Sequence, residues 1–326
     1  MKKLSIIIPL FNVEKFIARA TKSIVSQAFD GLEIVIVDDG STDNSYEVCL
    51  NGLAGLDVIG IKQENSGPGG ARNTALKKAA GEYILFLDGD DFLLPGAFEN
   101  IMKTLDEHKP DALFGRYVKW MHGIGFLKSK TYEVKLPDDP EKRTEYILGG
   151  LPELSWNIWR YVCRRKIIID NCIFFHESAY CQDMPWVLEL LETAESVVCL
   201  SKPFYAYNYR RQQSITNTFM AKRFVDRNKL VSEMLEKCEN RPVLCRAIVH
   251  QAFLYINEYR SLNKQDKKAV YDNYKGILPL FRLSDSVIHK LAAGCKNKVL
   301  FNCLSIALSV AKAIRNGGYR LCATRL

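Results

Sequence analysis

Cysteine pairs of the CxxC kind are missing from this 326-residue chain, although it carries ten cysteines. Cys163, Cys172 and Cys181 recur every nine residues, a spacing that matches no common zinc motif. Free thiols in a reducing cytoplasm are therefore expected. Long hydrophobic runs are missing as well. The apolar stretch after Met1-Lys2-Lys3 is far too short for the apolar core of a signal peptide. Near the C-terminus the run 299–314 falls short of the about 20 residues a membrane span needs, and Asn302 and Lys312 interrupt it. No segment combines a dense basic stripe with interleaved aromatics, so the formal charge of +8 does not imply a nucleic-acid partner. Neither a Walker loop nor the dinucleotide pattern G-x-G-x-x-G occurs, and no repeat or low-complexity tract stands out.

What is present is a chain of ordinary bulk composition, 48% hydrophobic and 25% charged. It is long enough for one large domain, or for a domain with a helical extension. The run Leu85-Phe86-Leu87 ends abruptly in Asp88-Gly89-Asp90-Asp91, and Ile34-Val35-Ile36-Val37 ends in Asp38-Asp39. Continuous Val/Ile runs separated by helical patterns are the mark of a parallel sheet covered on both faces. Ligands of such sheets bind beyond the carboxyl ends of the strands, so both acid clusters are expected to line one crevice. Acids packed this closely repel one another unless a cation neutralises them, and an Asp-x-Asp pair suits Mg²⁺ or Mn²⁺ held together with phosphate oxygens. A solvated acidic turn is the other reading of Asp88-Gly89-Asp90 taken alone. Its glycine is expected to let backbone come close to a ligand.

The segments alternate. Strands are predicted at 4–8, 33–37 and 58–61. Helices follow, beginning with one capped by Asn12, then one from about Asp43 and one from Gly69 to Ala80. This is a βαβ series and predicts an α/β fold, a mostly parallel Rossmann-like sheet flanked by helices. From Asp111 to about Tyr209 the pattern is mixed, with a last strand at 196–200. After Arg223 only helical patterns remain. The expected division is therefore a domain over 1–217, with halves at about 1–110 and 111–217, and a helical region over 218–326.

Asn65-Ser66-Gly67-Pro68-Gly69-Gly70-Ala71-Arg72-Asn73 opens a helix with free N–H groups and an early arginine, as an anion site would, although a connector would read the same way. Together with Ser5-Ile6-Ile7-Ile8-Pro9-Leu10-Phe11-Asn12, Val37-Asp38-Asp39-Gly40-Ser41-Thr42-Asp43, Leu87-Asp88-Gly89-Asp90-Asp91, Gln182-Asp183-Met184-Pro185-Trp186 and Arg211-Gln212-Gln213-Ser214-Ile215-Thr216, it resembles the inverting glycosyltransferases of family 2. The resemblance covers about the first 217 residues and implies a GT-A fold. By it, the Pro9-Leu10-Phe11 turn, Asn12 and Asp39 hold the uracil and ribose of a UDP-sugar. Asn65, Gly67, Arg72, Asp88 and Gly89 complete the donor site. Asp90 is the ligand of Mn²⁺ or Mg²⁺, and Asp183 is the general base toward a glycan or lipid-linked acceptor. Gln182 departs from the pattern, which carries Glu there, and Asp183 would also serve as a helix N-cap.

Trp156, Trp159, His176 and Tyr180 lie where such enzymes build sugar and acceptor sites. Core packing is the commoner fate of each tryptophan, and a structural hydrogen bond that of the histidine. Arg210 and Arg211 suit either a diphosphate or a solvated loop. The helix predicted over 298–315 carries a polar stripe of Lys298, Asn302, Ser305, Ser309 and Lys312 on an otherwise apolar surface. Such a face packs against other helices, against another copy of the chain, or peripherally on the inner face of the cell membrane. A sugar-phosphate nucleotidyltransferase is disfavoured by the acidic 38–39 pair, and a non-catalytic glycan- or lipid-binding protein is the reading that Gln182 leaves open.

Overall fold

The structure is a computed structural model and describes residues 1–127, 134–151, 156–177, 180–209, 221–238, 240–253 and 263–277. Arg210, Arg211, the 211–216 motif and the helix predicted over 298–315 lie outside the described residues. The chain forms two compact units, Met1–Asn217 and Thr218–Leu326.

The first unit opens with β1 (Leu4–Leu10), α1 (Glu14–Val25), β2 (Leu32–Asp38), α2 (Ser45–Gly52), β3 (Val58–Lys62), α3 (Gly67–Lys78) and β4 (Tyr83–Phe86). In this half the sheet is parallel throughout, in the order β3-β2-β1-β4. Its strands are apolar on both faces because both are covered. Leu4, Ile6, Ile8 and Leu10 join Ile17, Ala20 and Ile24 of α1 in the main core, and Ile7 is equally buried on the opposite face. Pro9 lies inside β1 rather than in the turn expected of it. The strand loses nothing by it: Pro9 shares its side with Ile7, and pairing with β4 has ended at Ile7↔Phe86.

Then follow β5 (Phe92–Leu93), α4 (Ala97–His108), β6 (Ala112–Met121), β7 (Gly125–Phe126), α5 (Pro140–Glu145), β8 (Tyr161–Arg164), α6 (Arg165–Asp170), α7 (Asp183–Thr193) and β9 (Val197–Asn208). β8 inserts antiparallel beside β4, and the order continues β8-β6-β9-β5. β9 runs for 12 residues, well past the strand predicted at 196–200. The extension brings Tyr205 and Asn208 under the acid turn that follows β4. α7 is seated by Trp186, whose ring stacks on Phe175 at 5.1 Å and meets Phe86 edge-on.

In the second unit α8 (Ala221–Lys237) packs against α9 (Pro242–Phe253) and α10 (Lys264–Ile277). Its buried Phe224, Leu230, Val231, Met234 and Leu235 belong to a core with Leu244, Ile248, Val270 and Tyr274. Among the described residues no helix is long and apolar enough to cross a membrane.

Candidate active site

The carboxyl ends of β1, β2 and β4 and the starts of α3 and α7 bring polar side chains to one edge of the sheet, where ligands of parallel sheets bind. At the β2 end Asp39 is 3% exposed. Its Oδ1 accepts hydrogen bonds from Gln63 Nε2 at 2.8 Å and from the Ser66 N–H at 2.9 Å. Phe11, 46% exposed, stands at the end of β1. Asn12 does not cap α1. It has a positive φ of 52°, and its Oδ1 accepts from the Thr42 N–H at 2.9 Å, tying the end of β1 to the loop after β2. The capping is done by Ser45 Oγ at the start of α2, which accepts the Val13 N–H at 2.7 Å, and by Asp43 of that loop, which accepts the Glu14 N–H at 3.1 Å. An Asn ahead of an apolar period reads as a cap, but asparagine also tolerates the left-handed region, and here that property decides.

Asp88, Gly89, Asp90 and Asp91 form a turn tied to three elements. Asp91 is 1% exposed and accepts from the Tyr205 hydroxyl and from the Asn208 N–H, both at 2.7 Å. The same hydroxyl accepts the Asp88 N–H at 3.2 Å. Burial raises the Asp91 carboxyl well above the ordinary range. The charges of Asp90 and Asp88 add to the rise, and its two donors oppose it. The Asp90 carbonyl accepts from Asn208 Nδ2 and from Arg19, each at 3.2 Å. A Cβ on Gly89 would meet Val13 at 3.0 Å and Leu10 at 3.2 Å, so the core beneath the turn by itself calls for a glycine there.

Among the described residues no group of three His, Cys, Asp or Glu side chains forms a metal cage. With Asp91 buried against Tyr205 and Asn208, Asp88 and Asp90 are the partly exposed carboxylates of the turn. An oxygen-only pair of this kind fits a hard divalent cation whose shell is completed by water and phosphate, the habit of Mg²⁺, rather than a closed protein site.

Across from the turn, α3 supplies Arg72. Its side chain is only 6% exposed and lies between two carboxylates: Nη2 donates to Asp88 at 2.8 Å and Nη1 to Asp183 at 3.4 Å. Asp183 is the first residue of α7 rather than its cap, that place falling to Gln182. Its carboxyl, 27% exposed, is pushed up to about 6 by burial. Arg72 opposes this, the charge of Asp88 adds to it, and the Ile158 N–H opposes it. Asn73 is structural: its Oδ1 accepts the Phe175 N–H and its Nδ2 donates to the Phe175 carbonyl, both at 2.9 Å, joining α3 to the segment that leads into α7. Gln182 is 2% exposed, and its Oε1 lies so close to Gly69 that a Cβ there would sit 2.1 Å away. A glutamate at this position would place a second buried charge beside Asp183. Asn65 lies in the loop before α3, and Gly67, the first residue of α3, takes a φ of 81°.

Of the aromatic residues singled out in the sequence, Trp156 and Trp159 are core, each 3% exposed, with Trp159 stacked on Tyr205 at 4.5 Å. His176 is exposed. Arg19, Tyr205 and Asn208 went unnoticed in the sequence. Only Arg19 left a trace there, as a polar residue in register with Ser23 and Gln27 along α1.

Residues 5–153 match the sequence profile of glycosyl transferase family 2. The chain is 31% identical over 216 residues to glycosyltransferase EpsJ of Bacillus subtilis, covering 62% of this chain and 60% of EpsJ. It is 40% identical over 220 residues to the GalNAc(5)-diNAcBac-PP-undecaprenol beta-1,3-glucosyltransferase of Campylobacter jejuni, covering 66% of this chain and 68% of that one. Among solved structures, TarS 1-349 of S. aureus in complex with UDP-GlcNAc superposes with a TM-score of 0.74 at 23% identity, over 97% of this chain and 92% of that one. The chain belongs to glycosyltransferase family 2 and has the GT-A fold. It spans less than two thirds of the length of EpsJ.

Proposed function

We propose that this protein moves a sugar from a UDP-sugar to a hydroxyl of a surface polysaccharide or lipid-linked oligosaccharide, with inversion and with Asp183 as general base. The observation that carries the reading is the bridge through Arg72, which sets Asp183 and Asp88 on two sides of one buried guanidinium. A proton acceptor and a donor-binding turn are thereby held in one crevice. Among the described residues the hydrogen bonds to Asp39 reach Oδ1, and we assign Oδ2 to the imide N–H of uracil, while the exposed ring of Phe11 offers a face to the base. The likeness to TarS, solved with UDP-GlcNAc, supports UDP as the nucleotide.

In the reaction the acceptor hydroxyl gives its proton to the Asp183 carboxylate as its oxygen bonds to the anomeric carbon. The bond from that carbon to the diphosphate breaks, and its electron pair leaves with UDP. A carboxyl at about 6 is a stronger base than an ordinary aspartate, yet it is ionised at neutral pH. No acid is needed for so good a leaving group. Asp90, with Asp88 beside it, would hold Mg²⁺ or Mn²⁺, which when bound supplies stabilisation of the charge gathering on the departing diphosphate. From an α-linked donor the product is β-linked, as in the name of the Campylobacter relative, whose PP-undecaprenol acceptor also supports a lipid-linked one here. Transfer is assigned to the cytoplasm, with the acceptor presented at the inner face of the membrane.

The test is Asp183→Asn, checked for folding and for UDP binding by calorimetry, then assayed for UDP release against a panel of UDP-sugars with Mn²⁺. Release is expected to fall by about 10²- to 10⁴-fold with UDP binding retained. Near wild-type release from a folded variant would remove Asp183 from the chemistry.

A further inference from the structure

We infer that Arg19, which binds the acid turn from α1, is a positioning residue that sets the direction of Asp90 toward its cation. The inference rests on the assignment of Asp90 as the cation's ligand. Arg19, Ser23 and Gln27 follow one another at intervals of four along α1 and its end, hence on one face. Each hydrogen-bonds main chain of the segment 90–98. Arg19 donates to the Asp90 carbonyl at 3.2 Å, and Ser23 Oγ accepts the Leu93 N–H at 3.0 Å. Gln27 donates to the Leu94 carbonyl and accepts the Phe98 N–H, both at 3.2 Å. A helix is rigid over this distance, so α1 acts as a ruler along which the backbone after the acid turn is laid.

Arg19 is the member of this row nearest the crevice, and it is held in two further ways. Its guanidinium lies 3.7 Å from the centroid of the Trp120 ring and 4.5 Å from that of Phe92, so both rings restrict the plane of the fork. Its charge is attracted by Asp91 and Asp90. The carbonyl it grips also accepts from Asn208, so two donors from α1 and from the end of β9 fix one peptide plane. Fixing the Asp90 carbonyl fixes the backbone torsions from which its side chain departs. Lysine would supply the charge without the planar fork, and an aliphatic residue would supply neither.

The experiment titrates Mn²⁺ into the full-length protein with UDP and reads UDP binding by calorimetry, for the wild type, Arg19→Met, Arg19→Lys and Asp90→Asn. Arg19→Met is expected to raise the Mn²⁺ concentration for half-maximal UDP binding by about 10- to 100-fold, the range found when groups that orient metal ligands are removed. UDP affinity without metal is expected to stay at the wild-type value, and Arg19→Lys to recover part of the loss. An unchanged Mn²⁺ midpoint in Arg19→Met overturns the inference. So does a lowered midpoint, which would make Arg19 a mere competing charge, and so does an equal loss of UDP binding with and without metal. If Arg19→Met does not fold, Trp120→Leu removes one stacking face with the charge intact, and its midpoint must rise. An Asp90→Asn protein that keeps full Mn²⁺ dependence sinks the assignment of Asp90 itself. If Asp90→Asn loses that dependence while Arg19→Met keeps the wild-type midpoint, the inference about Arg19 alone is wrong.

Discussion

The turn after β4 and the start of α7 face the same crevice and are held in opposite ways. At the turn Asp91 is closed in by Tyr205 and Asn208, the Asp90 carbonyl by Arg19 and Asn208, and the Asp88 N–H by the Tyr205 hydroxyl. At the start of α7 the Asp183 side chain has one long contact to Arg72 at 3.4 Å and the N–H of Ile158, and it keeps 27% of its surface exposed. The difference matches the tasks proposed for the two places. A group that orients a cation and a diphosphate gains from being fixed before they arrive, because no reorganisation is then left to pay for. A group that takes a proton gains from being weakly stabilised as an anion, because that keeps its basicity high. Burial with few donors achieves this at Asp183, while at Asp91 burial is accompanied by donors that lock the backbone in place.

Arg72 belongs to both places, so removing it tests the contrast most severely. Arg72→Met leaves two carboxylates facing each other across a buried apolar side chain. It is expected to destabilise the first unit by about 3 kcal/mol, the lower end of the range for breaking a buried pair because both acids keep partial exposure. Trp120, Trp156, Trp159 and Trp186 all lie before residue 217, so tryptophan fluorescence in a urea titration reads this unit alone. A urea midpoint equal to that of the wild type would mean that the two acids do not need their shared cation. Asn73→Ala probes only the support beneath α7. It strips the Phe175 N–H and carbonyl of their partners, at an expected cost of about 1–3 kcal/mol in the same titration. Because Asn73 touches neither acid turn nor base, metal-dependent UDP affinity is expected to survive at the wild-type value. Its loss would show that α3 transmits strain to the donor side.

What the chain reveals before folding follows the same division. The parallel half was legible because Ile6, Ile8, Ile34, Ile36 and Leu85 belong to runs that only a doubly covered strand explains, and the acids at their ends announce the crevice. Asp183 was legible only through the resemblance of its neighbourhood to a family, since one aspartate before an apolar helix also reads as a cap. Tyr205 and Asn208 were not legible at all. They reach Asp91 across 114 and 117 residues, through an extension of β9 whose sequence, Lys202-Pro203-Phe204-Tyr205, does not read as a continuing strand. Long-range pairing of this kind depends on where β6 lies, because β9 shifts register at Arg116 and then follows β6 to its end. The capping of α1 failed to show for a related reason: its acceptors, Asp43 in the loop after β2 and Ser45 at the start of α2, lie about 30 residues away rather than at the helix's own start.

The smallest effect expected is the most specific to the base. Asp183 must be ionised to accept a proton, so kcat/KM, which reports groups of the free enzyme, is expected to fall on the acid side with a limb near pH 6. One pH unit below that limb about a tenth of the plateau remains, since ionisation drops tenfold per unit. Stability runs the other way across the same window. Between the ordinary 3.8 and about 6 the folded chain holds a proton on Asp183 that the unfolded chain has released, so this group's contribution favours folding at the acid end and declines as pH rises. A general loss of structure in acid would lower rate and stability together, whereas titration of this carboxyl moves them in opposite senses. Measuring kcat/KM and the urea midpoint by tryptophan fluorescence over pH 4.5 to 7.5 separates the two. An acid limb near pH 4 would mean that an ordinary, solvent-facing carboxylate takes the proton, and the contrast between the locked turn and the weakly held base would have no consequence for rate.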